Sequence, residues 1–167
     1  MKVVYTLRHR LHHPQREFEA SGFQEPLEHP QRAEIIRAAL AADDTFEFTA
    51  PDEFGLEPIE AVHDPGLVQF LASAWEEYQR ERGHTHDVVP DVFAMAALRD
   101  GMGPAREPAN IGMKLGWWCY EMTTPLTQGT YDAARSAVDV PLTAADPVLD
   151  RAPVAYGLSR PPGHHPA

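Results

Sequence analysis

The sequence predicts an α/β fold built around a mainly parallel sheet. Three short segments, residues 2–6, 46–50 and 154–158, have the apolar or alternating patterns of strands. Segments with helical periodicity separate them along the chain. Strands that alternate with helices are typical of parallel sheets, because each crossover returns the chain to the same edge. The chain has 167 residues, which fits one domain, since single domains commonly contain about 100–200 residues.

The first part of the chain predicts two strands with a helix between them. Residues 2–6 are short, apolar and β-branched, which favours a buried strand. Residues 30–41 form the predicted helix, with Pro30 in the first turn, where its missing N–H is tolerated. Residues 46–50 alternate apolar and polar side chains before Pro51, as a half-buried strand does.

The clearest helix of the sequence begins after Asp64, a good N-cap residue, and is expected to end at Gly83. Between them, large apolar side chains recur at three- and four-residue spacing: Leu67, Phe70, Leu71, Trp75 and Tyr78. Two further helices are predicted over residues 111–122 and 130–138. The second presents a face of small apolar residues: Ala133, Ala134, Ala137 and Val138.

Helical periodicity disappears between residues 84 and 110, where prolines and glycines are scattered through the sequence. A long irregular segment in a compact domain is usually a functional or a mobile loop. We therefore expect a long loop insert over residues 84–110, within a single domain that spans residues 1–167.

The charge balance excludes some classes of partner. The chain has 14 basic and 25 acidic residues, for a net charge of −11. No nucleic-acid partner is expected, because neutralising phosphates needs a basic patch, whereas an acidic surface suits a cationic substrate.

No segment approaches the about 18 apolar residues of a membrane span, and a signal-peptide core is missing. We expect a cytoplasmic protein that does not insert into a membrane.

The strongest local signal follows the last predicted strand, where residues 160–165 are Arg-Pro-Pro-Gly-His-His. The prolines fix φ and Gly163 lets the backbone turn, which places His164 and His165 on a stiff loop. Imidazole is suited to proton transfer near neutral pH, and in an adjacent pair one ring can take a proton while the other stabilises charge. From these residues alone, a solvated histidine pair near a frayed terminus is the alternative.

Residues 154–165 resemble the strand and histidine-pair motif of the zinc-dependent deacetylase family, which includes histone deacetylases and acetylpolyamine amidohydrolases. Residues 28–33, Glu-His-Pro-Gln-Arg-Ala, are similar to the start of that family's first helix, and residues 60–71 to its Val-His-Asp segment. The insert before residues 116–120, and the segment 124–130, are more similar to acetylpolyamine amidohydrolases than to eukaryotic histone deacetylases.

This resemblance implies a three-layer arginase-deacetylase fold and a zinc hydrolase that removes acetyl groups from acetylpolyamines or similar acylated cationic amines. It makes His165 the general base that later protonates the leaving amine, and His164 the electrostatic support of the transition state. Arg32 matches an arginine that lines an internal product channel, and Glu17 is expected to face the cationic substrate; a solvated surface position is the alternative for both. The loop that supports the site consists of Arg160, Pro161, Pro162 and Gly163.

The chain departs from the family pattern at its C-terminal end. The family's zinc ligands, an Asp-x-His pair and a later aspartate, follow the histidine pair in segments that this sequence does not contain. A catalytic zinc needs three protein ligands, so Zn²⁺ is expected for the complete enzyme but not at the family site of this chain alone. We expect the N-terminal part of a deacetylase domain, incomplete at its C-terminus and inactive by itself.

Other interpretations are open at this point. One is a non-catalytic deacetylase-like module for partner binding or oligomerisation, and another is a protein acetyl-lysine deacetylase of the same family. A homodimer through the insert and the region of Trp117 and Trp118 is expected, with a core position as the alternative for these tryptophans. The pairs His84/His86 and His12/His13 have metal-ligand chemistry, but no fourth partner is fixed by their spacing. The single cysteine, Cys119, is expected to be buried and unreactive.

Overall fold

The computed structural model of the protein describes residues 1–83, 87–95, 98 and 100–162. These residues form two compact units. The first is built from Met1–His13, Leu27–Val68 and the described part of Gly129–Ala167. The second is built from Pro14–Pro26 and the described part of Gln69–Gln128.

The strands are β1 (Lys2–Tyr5), β2 (Glu17–Glu19), β3 (Gly22–Gln24), β4 (Glu47–Thr49) and β5 (Ala155–Leu158). The α-helices are α1 (Pro30–Ala41), α2 (Glu57–Glu60), α3 (Pro65–Arg82), α4 (Ile111–Trp118) and α5 (Thr130–Leu149). A 3₁₀ helix, Leu7–Leu11, follows β1.

The sheet of the first unit is parallel, with the strand order β4-β1-β5. Val3 of β1 lies opposite Phe48 of β4 and Tyr156 of β5. Because the strands are parallel, their carboxyl ends lie at the same edge of the sheet. The predicted α/β fold with a parallel sheet is therefore confirmed.

A helix covers each face of this sheet, because successive residues of β1 point to opposite sides. Val3 packs in one cluster with Ala33 of α1. Val4 packs in another with Val140 and Ala144 of α5. Complete burial of a valine side chain contributes about 1.5 kcal/mol or more, and Val3 and Val4 are 0% and 1% exposed. The result is a helix–sheet–helix arrangement of three layers in the first unit.

Local signals in the sequence predict the ends of α1 and α3 correctly. α1 covers Pro30–Ala41, as expected. At the start of α3, Asp64 Oδ1 accepts a hydrogen bond of 2.7 Å from the N–H of Gly66. Gly83 follows the last residue of α3 with a φ of 73°, a left-handed conformation that favours glycine.

α5 is longer than predicted. The helix expected over residues 130–138 continues to Leu149, with Pro141 and Pro147 inside it. Its buried apolar face contains Ala133, Val140 and Ala144 rather than the predicted run that ends at Val138. The prolines remove backbone hydrogen bonds, and the packing of Val140 and Ala144 against β1 offsets that loss.

α4 is shorter than predicted. The helix expected over residues 111–122 ends at Trp118, and Cys119 has an extended backbone with φ −101° and ψ 146°. Further along, Leu126 forms an antiparallel bridge with Val88, with both N–O distances at 2.8 Å. The residues between Trp118 and this bridge are not helical. The apolar pattern therefore predicts a helix that is longer than the observed one.

The second unit contains a hairpin of β2 and β3 that the sequence did not predict. Phe18 and Phe23 are paired across the hairpin, with ring centroids 5.3 Å apart, and Gly22 has a φ of 108° beside the turn. Each strand has three residues, which is too short for an alternating pattern to be recognised. The 3₁₀ helix Leu7–Leu11 and the short α2 were not predicted either.

The insert over residues 84–110 and the single domain over residues 1–167 stay predictions. Residues 84–86, 96, 97 and 99 lie outside the described part of the insert, and this includes the predicted ligands His84 and His86. Within the described residues, no helix has the length and apolar character needed to cross a membrane.

Candidate functional site

The predicted catalytic loop leaves the sheet at the carboxyl end of β5, directly after Leu158. Ligands of parallel α/β sheets bind at this edge. The structure describes the motif as far as Pro162 and places Arg160 there with a buried side chain. Gly163, His164 and His165 lie outside the described residues, so their catalytic and supporting roles stay predictions.

Arg160 connects the end of β5 to two other segments of the first unit. Its Nε donates to the Oε1 and Oε2 atoms of Glu28 at 2.7 and 3.0 Å, and Nη2 donates to Oε2 at 2.7 Å. Nη1 donates to the backbone carbonyl oxygens of His9 and His12, both at 2.6 Å. The side chain of Arg160 is 3% exposed. A buried guanidinium is thus neutralised by one carboxylate and bound to two carbonyls.

A second polar cluster lies between β1, the 3₁₀ helix and α1, around the carboxylate of Glu34. The Tyr5 hydroxyl donates to Oε1 at 2.6 Å, and His9 Nε2 lies 2.9 Å from the same oxygen. Arg10 Nε donates to Oε1 at 2.9 Å, and Arg37 Nε donates to Oε2 at 3.1 Å. His9 contacts both groups: its ring lies next to Glu34, and its backbone carbonyl accepts a hydrogen bond from Arg160.

These contacts set the ionisation of Glu34 and Tyr5. Burial opposes ionisation of Glu34, but hydrogen bonds from its four partners lower its pKa to about 2. Burial raises the pKa of Tyr5 to about 12, and the hydrogen bond and charge of Glu34 act in the same direction. Glu34 is therefore a carboxylate and Tyr5 a neutral phenol near neutral pH.

Two buried histidines line the segment that Arg160 binds. Burial lowers the pKa of His9 more than the hydrogen bond and charge of Glu34 raise it, and burial followed by the charge of Arg160 lowers the pKa of His12 to about 4. Both rings are consequently neutral near pH 7. His12 Nδ1 lies 2.9 Å from Oγ1 of Thr130, whereas His9 Nδ1 is buried without a hydrogen-bond partner.

The two residues predicted to contact substrate or product are placed as follows. Arg32, on α1, has a side chain that is 58% exposed, and its Nη1 lies 3.9 Å from Glu28 Oε1. Arg32 thus approaches the same carboxylate that binds Arg160. Glu17, on β2 in the second unit, is half-buried and accepts a hydrogen bond of 3.5 Å from Gln24 Nε2. The channel role of Arg32 and the substrate role of Glu17 stay predictions.

Both tryptophans of α4 are half-buried. The Trp118 ring stacks on Phe70 with centroids 6.4 Å apart, and its Nε1 donates to Glu107 Oε1 at 3.1 Å. Cys119 is half-buried as well. Burial raises the pKa of its thiol to about 11, which agrees with the expectation of an unreactive cysteine because thiolate is scarce near neutral pH.

Comparison with known proteins decides the family. Residues 26–167 match the family described as the histone deacetylase domain. The chain belongs to this family.

Relatives within this deacetylase family include acetylpolyamine amidohydrolase 2 of Pseudomonas aeruginosa, which is 36% identical over 167 residues. That alignment covers 100% of this chain and 47% of the relative. Acetylpolyamine amidohydrolase of Mycoplana ramosa is 30% identical over 165 residues, which covers 99% of this chain and 47% of the relative. The chain therefore spans about half the length of the curated relatives it matches.

A solved structure confirms the arginase-deacetylase type of fold. The crystal structure of acetylpolyamine aminohydrolase from Burkholderia pseudomallei superposes with a TM-score of 0.84 at 30% sequence identity. The match covers 99% of this chain and 46% of that structure's chain. The three layers of the first unit are thus those expected from the family.

The described residues do not fit the metal that the deacetylase family implies. No three His, Cys, Asp or Glu side chains among them come together as a set that could bind a metal ion.

Sequence reasoning missed Glu28, His9 and Glu34 as residues in the polar clusters near the predicted catalytic loop. Glu28 had been recognised only as part of the resemblance before the first helix, and Arg160 only as part of the loop. A signal was present for one of them, because a buried arginine beside a predicted active-site loop requires a carboxylate partner. Which carboxylate that is cannot be read from spacing, since 132 positions separate Glu28 from Arg160.

Proposed function

We propose that the protein hydrolyses the acetyl amide of acetylpolyamines or of similar acylated cationic amines, and releases acetate and the free amine. The observation that carries this proposal is the 36% identity with an acetylpolyamine amidohydrolase across all 167 residues. The net charge of −11 supports a cationic substrate, because an acidic surface raises the local concentration of cations.

In the proposed reaction the oxygen of a water molecule bonds to the carbonyl carbon, and the bond between that carbon and the amide nitrogen breaks. His165 takes a proton from the water and later gives it to the leaving nitrogen. His164 stabilises the charge that develops on the oxygen. Glu17 binds the distal ammonium group of the substrate, and Arg32 lines the route by which acetate leaves.

The family resemblance implies Zn²⁺ for the complete enzyme, where the ion would supply Lewis-acid chemistry toward the amide carbonyl. Its ligands come from outside residues 1–167, as the family resemblance implies. The inactivity of residues 1–167 on their own and a cytoplasmic location stay predictions.

Substrate preference tests the proposal. Release of acetate from N-acetylputrescine, N-acetylspermidine and an acetyl-lysine peptide is measured with the zinc-supplied product of the complete gene that contains residues 1–167. The proposal predicts a higher kcat/KM for the two polyamines. A preference for the peptide would contradict it and favour the protein deacetylase, and zinc binding without acetate release from any of the three would favour the non-catalytic module.

A homodimer is the proposed assembly, formed through the insert and the region of Trp117 and Trp118. Supporting it, several large apolar side chains of the second unit are exposed in this region: Met95, Leu98, Met102 and Met113. Exposed apolar side chains favour a protein partner where they form a contiguous patch. Sedimentation equilibrium should give twice the chain mass, and Met102→Asp should shift the protein toward the monomer; a wild-type monomer would contradict this assembly.

A further inference from the structure

The hairpin of β2 and β3 has two faces of different chemistry. The register pairs Glu17 with Gln24 and Phe18 with Phe23. Because successive side chains of a strand point to opposite sides, Glu17 and Glu19 share one face, here called the acidic face. Phe18 and Phe23 share the other, the aromatic face. The contacts agree with this division, since the two rings lie 5.3 Å apart and Gln24 Nε2 donates to Glu17 Oε1 at 3.5 Å.

Arg16, which directly precedes β2, binds to the aromatic face. Its Cζ atom lies 4.5 Å from the centroid of the Phe23 ring, within the about 6 Å over which the face of an aromatic ring attracts a cation. Residues 17–24, all of which the structure describes, contain no lysine or arginine. The cation nearest to Glu17 in the sequence is thus bound on the opposite side of the hairpin.

The position of Arg16 depends on a balance between two exposed contacts. Arg16 and Phe23 are both exposed, so burial does not fix the guanidinium. A guanidinium over an aromatic ring and an exposed ion pair have similar strengths. If the ring is removed, the carboxylate of Glu17, one residue along the chain, becomes the competing partner, because carboxylates bind guanidinium groups well.

We infer that Phe23 is a positioning residue for substrate binding: by holding Arg16 on the aromatic face, it keeps the carboxylate of Glu17 available to the distal ammonium group of the substrate. This inference rests on the proposed function, in which Glu17 binds that group. An ion pair of Arg16 with Glu17 would neutralise the carboxylate and compete with the ammonium group, whereas the chemistry at the acetyl amide would be unaffected. Phe23 therefore acts on KM rather than on kcat.

The first test compares Phe23→Leu with Phe18→Leu as the control, using N-acetylputrescine and the zinc-supplied product of the complete gene. Phe23→Leu should raise KM about 3- to 10-fold with kcat nearly unchanged, the size expected when a cation comes close to a carboxylate at a solvated surface. Phe18→Leu removes the other ring of the aromatic pair but leaves the ring that binds Arg16, so KM should stay within about twofold of wild type. Phe23→Tyr keeps a ring for the cation and should behave like the wild type.

A second substitution separates this role from a purely structural one. Arg16→Gln removes the competing cation and, combined with Phe23→Leu, should return KM to near the wild-type value. A loss of packing in the hairpin would not be reversed by the removal of a neighbouring charge. An unchanged KM in Phe23→Leu, or a raised KM that persists in the combined variant, would overturn the inference.

A further measurement does not depend on turnover. The dissociation constant of putrescine is measured by isothermal titration calorimetry for the wild type, Phe23→Leu and the combined variant. Binding should weaken in Phe23→Leu and recover in the combination, and Phe23→Leu should have no further effect when Glu17→Gln is already present. Equal dissociation constants in all these proteins, or no binding of putrescine by the wild type, would overturn the inference whatever the activity. A wild type that shows this pattern of binding but releases no acetate from N-acetylputrescine would contradict only the proposed function.

Discussion

The carboxylate of Glu34 collects polar contacts from four different side chains. Four side chains from β1, the 3₁₀ helix and α1 bind its carboxylate, which is 14% exposed. Its pKa is lowered to about 2 from 4.5, so the ionised form stabilises the fold. This stabilisation is fully present above the unfolded pKa of 4.5 and is lost as the pH falls toward the folded pKa of about 2.

Replacing Glu34 by glutamine should lower the free energy of unfolding by about 2–4 kcal/mol at pH 7, because several charge-assisted hydrogen bonds lose their ionic acceptor. Urea unfolding at pH 7 and pH 3 measures this, and the difference from wild type should shrink at pH 3. Glu47→Gln, at an exposed position of β4, is the control. An equal loss at both pH values would show that the ionisation of Glu34 does not contribute.

His12 adds a second loss of stability at falling pH, at higher pH values than Glu34, through a buried base that stays neutral in the folded state. Its pKa of about 4 lies below the ordinary 6.5, so the unfolded chain binds a proton that the folded chain does not. Stability from this site is therefore lost as the pH falls from 6.5 toward 4, by about 2 kcal/mol between pH 7 and pH 5.

The variant His12→Asn should flatten this dependence, since asparagine keeps a hydrogen-bonding group near Thr130 but does not titrate. Chemical unfolding at pH 7 and pH 5 would show it, with His13→Asn as the control for changing one imidazole in the same segment. A variant that loses as much stability as the wild type between pH 7 and pH 5 would contradict the assignment to His12.

Some residue-level features were predictable because their cause is local. Asp64 was recognised as the N-cap of α3 because its partner, Gly66, is two positions away. The partners of Glu34 and Arg160 were not, since Tyr5 is 29 positions from Glu34 and Glu28 is 132 positions from Arg160. The sequence shows which residues need a partner when buried, but only the fold brings a particular pair together.

The helix α4 packs closely against residues 92–94, and a glycine makes this approach feasible. A Cβ atom at Gly116 would lie 1.6 Å from the carbonyl oxygen of Val92, and the Gly116 carbonyl accepts a hydrogen bond of 2.7 Å from Ala94 N. On the same helix, a Cβ at Gly112 would lie 2.4 Å from Nη2 of Arg82. The first contact is with backbone, whereas the second is with the end of a flexible side chain.

Gly116→Ala should therefore destabilise the protein by about 3 kcal/mol or more. The cost of the clash with backbone atoms exceeds the stabilisation expected from replacing glycine by alanine in a helix. Gly112→Ala should change stability much less, since Arg82 can move and alanine favours a helix. Thermal and urea unfolding of the two variants compare them directly. Equal losses of stability in the two variants would show that α4 does not approach residues 92–94 closely enough to exclude a Cβ atom at position 116.

The elements also show where sequence patterns fail. α1 was predicted correctly because its first-turn proline and its apolar residues give one consistent signal. The prediction for α5 ended at residue 138, although Val140 and Ala144 continue the three- and four-residue spacing up to Leu149. Contact with Val4 and the sheet, which the local sequence does not encode, stabilises the part of α5 that contains its prolines.

For the whole molecule, the fold was predictable from alternating strands and helices and from the motifs of a known family. The parallel order β4-β1-β5 and the TM-score of 0.84 with an acetylpolyamine aminohydrolase confirm that prediction. The proposed catalytic chemistry follows less directly, because the proposal assigns it to His164 and His165, which lie outside the described residues, and to a metal. The net charge of −11 and the identity with acetylpolyamine amidohydrolases together favour a cationic amide as the substrate.

The most direct test of this proposal is the release of acetate from N-acetylputrescine by the zinc-supplied product of the complete gene, wild type against His165→Ala. The wild type should hydrolyse the amide, and the variant should be about 10²- to 10⁴-fold slower with an unchanged zinc content, because a general acid–base group contributes on that scale. Near-normal turnover by His165→Ala, or a zinc-loaded wild type that releases no acetate, would contradict it.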